Sequence, residues 1–406
     1  MSATVPAGST DCDVAIAGAG PVGLCLAMLL AQAGLSVRVF ELEEAVSEDL
    51  RASTFHSPTM DLLEPSGVTA ELLERGLVCP SWQIRLHPTG ERAVFDLSVL
   101  AGDTKHPYRL QCEQWKLSQA LLKRVQGLAN VEVCFSSEVL SVADRGGHAE
   151  MTVRRNGREE IVRAAIAVGA DGARSIVRKA MNLSFDGETY PETTVLVTTL
   201  FPFEDYLEGL SNVTYCWKEG GNFSLLKVPG RWRASIYPRE DLPIEDQLTE
   251  DAIEASLQVI VPRSERYEVL DKRPYRVHQR IVAKYNAGRL VLAGDAAHLN
   301  SPSGGMGLNG GIHDAFELAA AIKDMLKGNA GIERLDLYDR RRRPIARDQI
   351  IAQADRNRAR MREKDHDRRM EMLRELQAIT SDRDRLYAYL LKSSMIEGYR
   401  QSQAIS

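Results

Sequence analysis

Short apolar runs alternate with longer runs of helical period along this chain, and their order predicts the first elements. Residues 14–17 form an apolar run of strand length, residues 24–33 form an apolar helix, and residues 35–41 form a second strand. Another strand at residues 289–293 precedes a long amphipathic helix at residues 312–327. The opening stretch therefore predicts a buried βαβ unit.

The middle of the chain has the alternating pattern and turn residues of a β structure. Asn156-Gly157 marks a hairpin turn, and Gly220-Gly221-Asn222 and Pro229-Gly230 mark two more. The strands expected around these turns cover residues 131–136, 139–143, 150–154, 160–168, 193–201, 213–217, 223–228 and 232–237. Residues 193–281 therefore predict a meander sheet.

The composition suits an ordinary globular enzyme of 406 residues, with 44% hydrophobic and 26% charged residues. Residues 14–37 carry no charge, but glycines and Pro21 interrupt them, so we interpret them as buried core and expect no membrane contact. The net charge of −5 indicates no nucleic-acid partner. The six cysteines show no CxxC pair or metal-ligand cluster, which predicts reduced thiols, a cytoplasmic protein and no bound metal.

The first candidate site is Gly18-Ala19-Gly20-Pro21-Val22-Gly23, which follows a strand and opens a helix. Gly18 permits a tight turn, Gly20 lets a pyrophosphate approach the backbone, and Gly23 allows close helix packing. Glu41 ends the second strand roughly 20 residues beyond the motif, where an acid reads a ribose hydroxyl pair. This context predicts a dinucleotide site.

Two further glycine motifs also follow expected strands. Asp171, in Gly169-Ala170-Asp171-Gly172, precedes a helix that it can cap. Asp295, in Ala293-Gly294-Asp295-Ala296, is followed by the glycine-rich residues 304–311 and then by the long helix. Backbone N–H groups at this helix start would stabilise an anion.

With these three motifs in order, the chain resembles the single-component FAD-dependent aromatic hydroxylases, the flavoprotein monooxygenase class that includes para-hydroxybenzoate hydroxylase. The resemblance covers roughly residues 11 to 345. It implies an α/β fold in which a Rossmann-like FAD-binding domain is interleaved with a mainly antiparallel β-sheet substrate domain, plus C-terminal helices. The implied FAD-binding parts are 1–80, 111–190 and 282–345, the substrate parts are 81–110 and 191–281, and the C-terminal helical segment is 346–406.

The resemblance also assigns residues to FAD. Arg51 matches an arginine at the pyrophosphate region, Gln114 a glutamine on the helix beside the flavin, and Asp295 the carboxylate at the ribityl chain. The implied cofactor-binding set is Gly18, Gly20, Pro21, Val22, Gly23, Glu41, Arg51, Gln114, Val139, Asp171, Asp295, Gly307, Leu308 and Asn309. His298 is expected to have a structural role.

The substrate side is less determined. The resemblance places Pro302 against the substrate, and Tyr215 and Tyr237 are candidates to assist its deprotonation. Trp217 and Phe223 are candidate lining residues, although aromatic residues in antiparallel strands are as often plain core. The alternating pattern leaves the register of these strands open, and one residue of slip exchanges the two faces of a strand.

The resemblance implies that NADH or NADPH transiently reduces FAD, after which O₂ forms a flavin C4a-hydroperoxide that hydroxylates an electron-rich ring. The expected partners are a small aromatic or N-heteroaromatic substrate and O₂, in a monomer or homodimer. N-oxygenation, epoxidation, ring or chain reduction, simple oxidation and a non-catalytic flavin sensor remain alternatives. The charged residues 356–374 are expected to form a solvated helix face.

Overall fold

A computed structural model describes residues 10–48, 52–239 and 242–406 of the chain. The strands are β1 Cys12–Ala17, β2 Val37–Phe40, β3 Thr54–Phe55, β4 Leu77–Cys79, β5 Ser81–Leu86, β6 Arg92–Asp96, β7 Arg109–Gln111, β8 Val131–Cys134, β9 Ser137–Asp144, β10 Ala149–Arg155, β11 Arg158–Gly169, β12 Asp186–Thr199, β13 Val213–Lys218, β14 Gly221–Val228, β15 Arg231–Ile236, β16 Val269–Ile281, β17 Asn286–Ala287, β18 Leu290–Leu292 and β19 His298–Leu299. The helices are α1 Pro21–Gln32, α2 Ser57–Leu63, α3 Val68–Arg75, α4 Gln114–Gln126, α5 Ile176–Ala180, α6 Ile244–Gln247, α7 Glu250–Gln258, α8 Met306–Leu326, α9 Arg334–Ile345, α10 Ala352–Arg362, α11 His366–Thr380, α12 Arg383–Ser393 and α13 Ile396–Ala404.

The first sheet has the strand order β17-β18-β11-β1-β2-β8, and β9 and β10 extend it from β11 as an antiparallel hairpin. Strands β18, β11, β1, β2 and β8 run parallel to one another. Helices α1 and α8 pack together, and their apolar residues share one core with this sheet. The opening residues thus form the expected βαβ unit, because their apolar run is buried on all sides. Within the described ranges, no helix combines the length and the apolar character that a membrane span needs.

The second sheet has the order β19-β16-β12-β15-β14-β13-β5-β6 and is mainly antiparallel. A small third sheet has the order β3-β7-β4. Its strands come in the chain directly before and after β5 and β6 of the second sheet. The expected strands of the meander are present, and the Asn156-Gly157 turn has positive φ at both residues, as a two-residue hairpin of type I′ requires. The expected mixed α/β architecture is confirmed.

The two faces of the second sheet differ in chemistry. Phe223, Trp232 and Ala234 share one face, where they pack with Ile253 and Leu257 of α7. Successive side chains of a strand point to opposite faces, so the residues that alternate with these lie on the other face. That face carries Tyr215, Ser224, Arg233, Ser235, Tyr237 and Tyr275. One face is therefore apolar core, and the other, which we call the polar face, carries hydroxyl and guanidinium groups.

The C-terminal helices cover one end of the polar face. Leu373 and Leu376 of α11 and Leu386 and Leu390 of α12 share a core with Trp82 and Phe95 on β5 and β6. Helix α9 continues through a π-helical segment, Ala346–Ile351, into α10. The segment after residue 346 therefore packs over the second sheet.

The long helix begins earlier than its sequence pattern indicates. Helix α8 starts at Met306, so Gly307, Gly310 and Gly311 lie inside it and not in a loop. A β-carbon at Gly311 would lie 2.7 Å from the Val22 side chain, and one at Gly310 would lie 2.7 Å from Ile350. Close helix packing requires these glycines, and this packing outweighs their low helix propensity.

Candidate FAD and substrate site

Three adjacent parallel strands deliver the three glycine motifs to one edge of the first sheet. In the register, Ala17 at the end of β1 is paired with Gly169 at the end of β11 and with Phe40 at the end of β2, and Gly169 is paired with Leu292 of β18. Ligands of open α/β sheets bind outside the carboxyl ends of such strands. The motifs around residues 18, 171 and 295 therefore border one region.

The first motif is closely packed everywhere except at its middle glycine. A β-carbon at Gly23 would lie 2.0 Å from the Gly18 carbonyl oxygen, whereas a β-carbon at Gly20 would meet nothing within 4 Å. Gly20 caps α1 without a side-chain hydrogen bond, and Pro21 begins the helix, so the Val22 and Gly23 N–H groups lie at a helix start. An open space at a helix N-terminus fits a pyrophosphate.

Glu41 lies beside this turn, as the spacing predicted. Its Oε2 accepts the Ala19 N–H at 2.7 Å, and its Oε1 accepts the Glu43 N–H at 3.1 Å. The Glu41 carbonyl accepts the Ser137 N–H at 2.7 Å, which brings the start of β9, and with it the half-buried Val139, to the same end of the sheet. Glu41 and Val139 therefore both lie at the end of the sheet that carries the first motif.

Asp171 fixes the second motif. Its Oδ2 accepts the Ile176 N–H at 2.7 Å, the first N–H of α5, but the N-cap residue of that helix is Ser175, whose hydroxyl accepts the Arg178 N–H at 3.0 Å. Burial raises the pKa of Asp171, and its Oδ1 has no protein partner. Arg178 of α5 donates to the Ala296 carbonyl at 3.0 Å, which connects the second motif to the third.

Asp295 is exposed although its neighbours on both sides are buried, so its side chain points out of the packed motif. A buried carboxylate holds the motif from behind. Asp314 accepts the Gly294 N–H at 3.1 Å, the His298 Nε2–H at 2.8 Å and the Arg342 Nε–H at 2.7 Å. Burial alone would raise the pKa of Asp314, but Arg342 and His298 lower it to about 2. No local sequence pattern indicated this network, and the contact with Asp314 gives His298 a structural role.

The start of α8 is tied to the first strand of the third sheet. The Asn309 Oδ1 accepts the His56 N–H at 2.9 Å, and its Nδ2 donates to the Thr54 carbonyl at 2.9 Å. Gly305, before the helix, provides no side-chain cap, and Gly307, Leu308 and Asn309 form the first turn. The backbone N–H groups of a first helical turn need outside acceptors, and an electron-rich edge of a flavin ring can be one.

Two further expected residues, Gln114 and Pro302, are at the borders of this region. Gln114 is the first residue of α4 and is half-buried, and its N–H donates to the Ala52 carbonyl at 2.9 Å. Pro302 is exposed next to the buried Ser301. Arg51 lies outside the described residues, so its assignment stays a prediction.

The two candidate tyrosines lie together on the polar face. Tyr237 keeps 39% of its surface exposed, and its hydroxyl is in hydrogen-bonding reach of Ser224, the residue paired with Tyr215. Tyr275, which the sequence did not single out, contacts Thr194 and Ser235 in the same way. Desolvation by the surrounding protein raises the pKa of Tyr237 and of Tyr275 above the usual tyrosine range.

The structure puts two of the candidate lining residues away from the open part of the polar face. Phe223 is paired with Cys216 and Ile236 on the apolar face, opposite Tyr215. Trp217 has the parity of the polar face, but it is fully buried beneath the C-terminal helices, and its Nε1–H donates to the Arg360 carbonyl at 3.0 Å. Register and helix packing, which the local sequence does not show, decide both positions.

The structure adds two residues that no sequence pattern indicated. Arg109 of β7 is only 3% exposed, its guanidinium lies 4.7 Å from the centre of the Trp82 ring, and it hydrogen-bonds to Tyr215. His56, at the start of α2, is fully buried, and its Nε2 lies 2.8 Å from the Gly304 carbonyl oxygen. His56 thus borders the loop that carries Pro302, and Arg109 borders the polar face at Tyr215.

A polar cavity of about 300 Å³ opens beside the start of α4. Its walls include Trp115, next to Gln114, and Thr198, Asp271 and Arg273, which have the parity of Tyr275 on the polar face. The volume is at the lower end of the range for small-molecule sites. The cavity thus extends the polar face toward the helix that carries Gln114.

Comparison with known proteins agrees with this geometry. Residues 11–353 match the family described as FAD binding domain. The chain is 35% identical over 335 residues to 6-hydroxy-3-succinoylpyridine 3-monooxygenase HspB of Pseudomonas putida (strain DSM 28022 / S16), which covers 82% of this chain and 85% of that protein. It is 32% identical over 391 residues to para-nitrophenol 4-monooxygenase of Pseudomonas sp. (strain WBC-3), which covers 95% and 96% of the two chains.

Solved structures show the same architecture. The crystal structure of p-nitrophenol 4-monooxygenase PnpA from Pseudomonas putida DLL-E4 is similar with a TM-score of 0.88 and 30% identity, covering 95% of this chain and 98% of that chain. A ternary complex of aklavinone-11 hydroxylase with FAD and aklavinone is similar with a TM-score of 0.78 and 26% identity, covering 87% and 70%. The expected fold class is confirmed.

Proposed function

Because this chain belongs to the family of FAD-dependent aromatic monooxygenases, we propose that it uses NADH or NADPH and O₂ to hydroxylate a small hydroxylated ring, such as a phenol or hydroxypyridine. Two relatives that match most of the chain are named for a hydroxypyridine and a nitrophenol. The observation that carries the proposal is the convergence of three glycine motifs on one sheet edge, next to a sheet face rich in hydroxyl groups.

The residues at this edge fit FAD from end to end. The open turn at Gly20 and the start of α1 would hold the pyrophosphate, and Glu41 would bind the adenosine ribose. Asp295, which points out of its packed motif, suits a ribityl chain, and the first turn of α8 suits the flavin ring. Bound FAD, reduced by NADH or NADPH, supplies an electrophilic oxygen atom derived from O₂.

The polar face would orient the substrate. Since their surroundings raise the pKa of Tyr237 and Tyr275, these hydroxyls keep their protons at neutral pH and act as hydrogen-bond donors. Tyr237 is therefore better suited to hold a ring oxygen than to remove its proton. Tyr215, on the neighbouring strand and the same face, would help to position that oxygen.

The C-terminal helices would keep water from one side of the substrate. Trp82 stacks on Phe95 with ring centres 4.0 Å apart, and Tyr389 of α12 stacks on Phe95 at 5.0 Å. A dry site favours transfer of the oxygen to the ring over its loss as hydrogen peroxide. The helices thus have a role in coupling NAD(P)H consumption to product formation.

The test is NAD(P)H oxidation by the FAD-loaded protein with a panel of phenols, aminoaromatics and hydroxypyridines under ¹⁸O₂. We expect at least one phenol or hydroxypyridine to accelerate oxidation about tenfold or more, with one labelled oxygen in the product and little hydrogen peroxide. Product without label would indicate an oxidase or dehydrogenase, and stimulation by none of the rings would reject the proposed substrate class.

A further inference from the structure

Arg109 is a buried cation without a buried anion. Its Nε and Nη1 have no protein partner, and among the described residues no carboxylate lies within ion-pair distance of it. Burial lowers its pKa, and the groups that most oppose this shift are the hydroxyls of Tyr215 and Tyr389. A buried guanidinium with unsatisfied N–H groups is costly, and a bound anion removes that cost.

His56 provides a second sign of a ligand, and the pairing of Phe55 with Leu110 puts His56 and Arg109 at the same end of the third sheet. Its Nε2 lies 2.8 Å from the Gly304 carbonyl oxygen, which only accepts hydrogen bonds, so Nε2 carries the hydrogen. Its Nδ1 is therefore an acceptor, and it is buried without a partner. Burial and the Arg109 charge lower the pKa of His56 to about 3, so the ring is neutral.

The Arg109 guanidinium is a charged donor without a partner, and His56 Nδ1 is an acceptor without a partner. Together they can bind a phenol oxygen in both its ionised and its protonated form. A protonated hydroxyl donates one hydrogen bond and accepts others, whereas an ionised oxygen only accepts and is favoured by a nearby cation. The Tyr215 hydroxyl, which contacts Arg109, connects this pair to the polar face. A carboxylate would satisfy the guanidinium, but it is ionised throughout the neutral pH range and would never offer His56 a hydrogen, whereas a phenol offers one in its protonated form.

We infer that Arg109 is the specificity-determining residue for an acidic phenol or hydroxypyridine, whose oxygen it binds in the ionised form, while His56 Nδ1 accepts the hydrogen bond of that hydroxyl when it is protonated. This inference rests on the proposed function, since it assigns one end of the same substrate site. It predicts that the enzyme makes a bound phenol more acidic and prefers acidic phenols over their methyl ethers.

The test measures binding and ionisation without turnover. Para-nitrophenol, whose ionised form has a distinct visible absorption, is titrated into the FAD-loaded protein without NAD(P)H at several pH values. We expect the pKa of the bound phenol to fall by about 1 unit or more, and 4-nitroanisole, which cannot ionise, to bind about tenfold more weakly. In Arg109→Gln, the shift should disappear and para-nitrophenol should bind about tenfold more weakly.

Arg85→Gln is the matched control. Arg85 is 4% exposed and also has an unpartnered Nε, but it lies on the apolar side of the sheet, where its Nη1 donates to the Glu208 carbonyl at 2.8 Å. It should leave both readings unchanged. Equal binding of the phenol and its ether by the wild type, or an unchanged shift in Arg109→Gln, overturns the inference. A normal shift without hydroxylation of any ring would instead count against the proposed function.

Discussion

Two buried arginines, Arg342 and Arg109, show how differently this chain treats a charge in its interior. Arg342 is 1% exposed and donates its Nε–H to Asp314 at 2.7 Å, and that carboxylate raises its pKa against the effect of burial. Arg109 is 3% exposed, has no carboxylate partner in the described structure, and has its pKa lowered. Both arginines have at least one N–H group without a hydrogen-bond partner, so they differ mainly in that Arg342 has a carboxylate partner and Arg109 does not.

This difference separates framework from site. The charge of Arg342 is balanced within the chain, where it fixes the third glycine motif through Asp314. The charge of Arg109 is balanced only if something binds, and Tyr215 and Trp82 hold it in place meanwhile. A completed buried pair serves stability, whereas an incomplete one sacrifices stability for recognition.

The largest expected effect follows from breaking the completed pair. Asp314→Ala leaves the Arg342 charge and two N–H groups buried without an acceptor, so we expect the free energy of unfolding to fall by about 3–5 kcal/mol. Arg109→Met should change it by less than about 1 kcal/mol in the FAD-loaded protein without substrate, because it removes an uncompensated charge. Urea unfolding of the FAD-loaded proteins measures both.

The double variant Asp314→Ala/Arg342→Met is the control for this comparison, since it removes both charges and should recover part of the loss. If Arg109→Met destabilised the protein as strongly as Asp314→Ala, Arg109 would belong to the framework, and the contrast between the two arginines would be wrong.

The next effect concerns two buried histidines, His56 near Arg109 and His313 near Arg342. Burial, more than nearby Arg109 or Arg342, lowers the pKa of His56 and of His313 to about 3. Below about pH 6.5 the unfolded chain therefore binds protons that the folded chain does not, and stability falls as the pH drops toward 3. At pH 5 we expect each histidine to cost about 2 kcal/mol relative to pH 8.

Urea unfolding between pH 8 and pH 5 measures this dependence. His313→Gln removes one of the two histidines, so it should remove about half of their combined contribution to the pH dependence. The glutamine amide can replace the contact of His313 with Thr59 at 3.0 Å. Stability that stays constant or rises between pH 8 and pH 5 would contradict the neutral state of both rings.

Much of the FAD framework was predictable because its signals are local. The run from Val14 to Glu41 contains strand, turn, helix and acid at fixed spacing, and steric limits on Gly23 act within a few residues. The network of Asp314, His298 and Arg342 was not predictable, since its members come together only when α8 and α9 pack. Nor was the start of α8 at Met306, which depends on contacts with Val22 and Ile350.

The substrate side could be predicted only in part. The observed pairing of β13, β14 and β15 puts Tyr215 and Tyr237 on the same face of the sheet. The sequence does not determine this register, and a shift of one residue would reverse the faces. The same register puts Phe223 on the opposite face from Tyr215. Arg109 and His56 lie in short segments without a periodic pattern, and only the third sheet and the contact with Gly304 bring them to the polar face.

The smallest effect tests the two faces of the second sheet directly. Phe223→Leu, on the apolar face, should lower the free energy of unfolding by about 1 kcal/mol and leave kcat/KM within about twofold, because it changes only packing. Tyr237→Phe, on the polar face, should change stability by less than about 1 kcal/mol but lower kcat/KM about fivefold or more, since it removes a hydroxyl donor and no ring volume. The measurements are urea unfolding and initial rates of product formation with the best phenol of the panel. A large kinetic effect of Phe223→Leu beside a silent Tyr237→Phe would place the substrate on the other face, and with it the assignments of Arg109 and Tyr215 would fail.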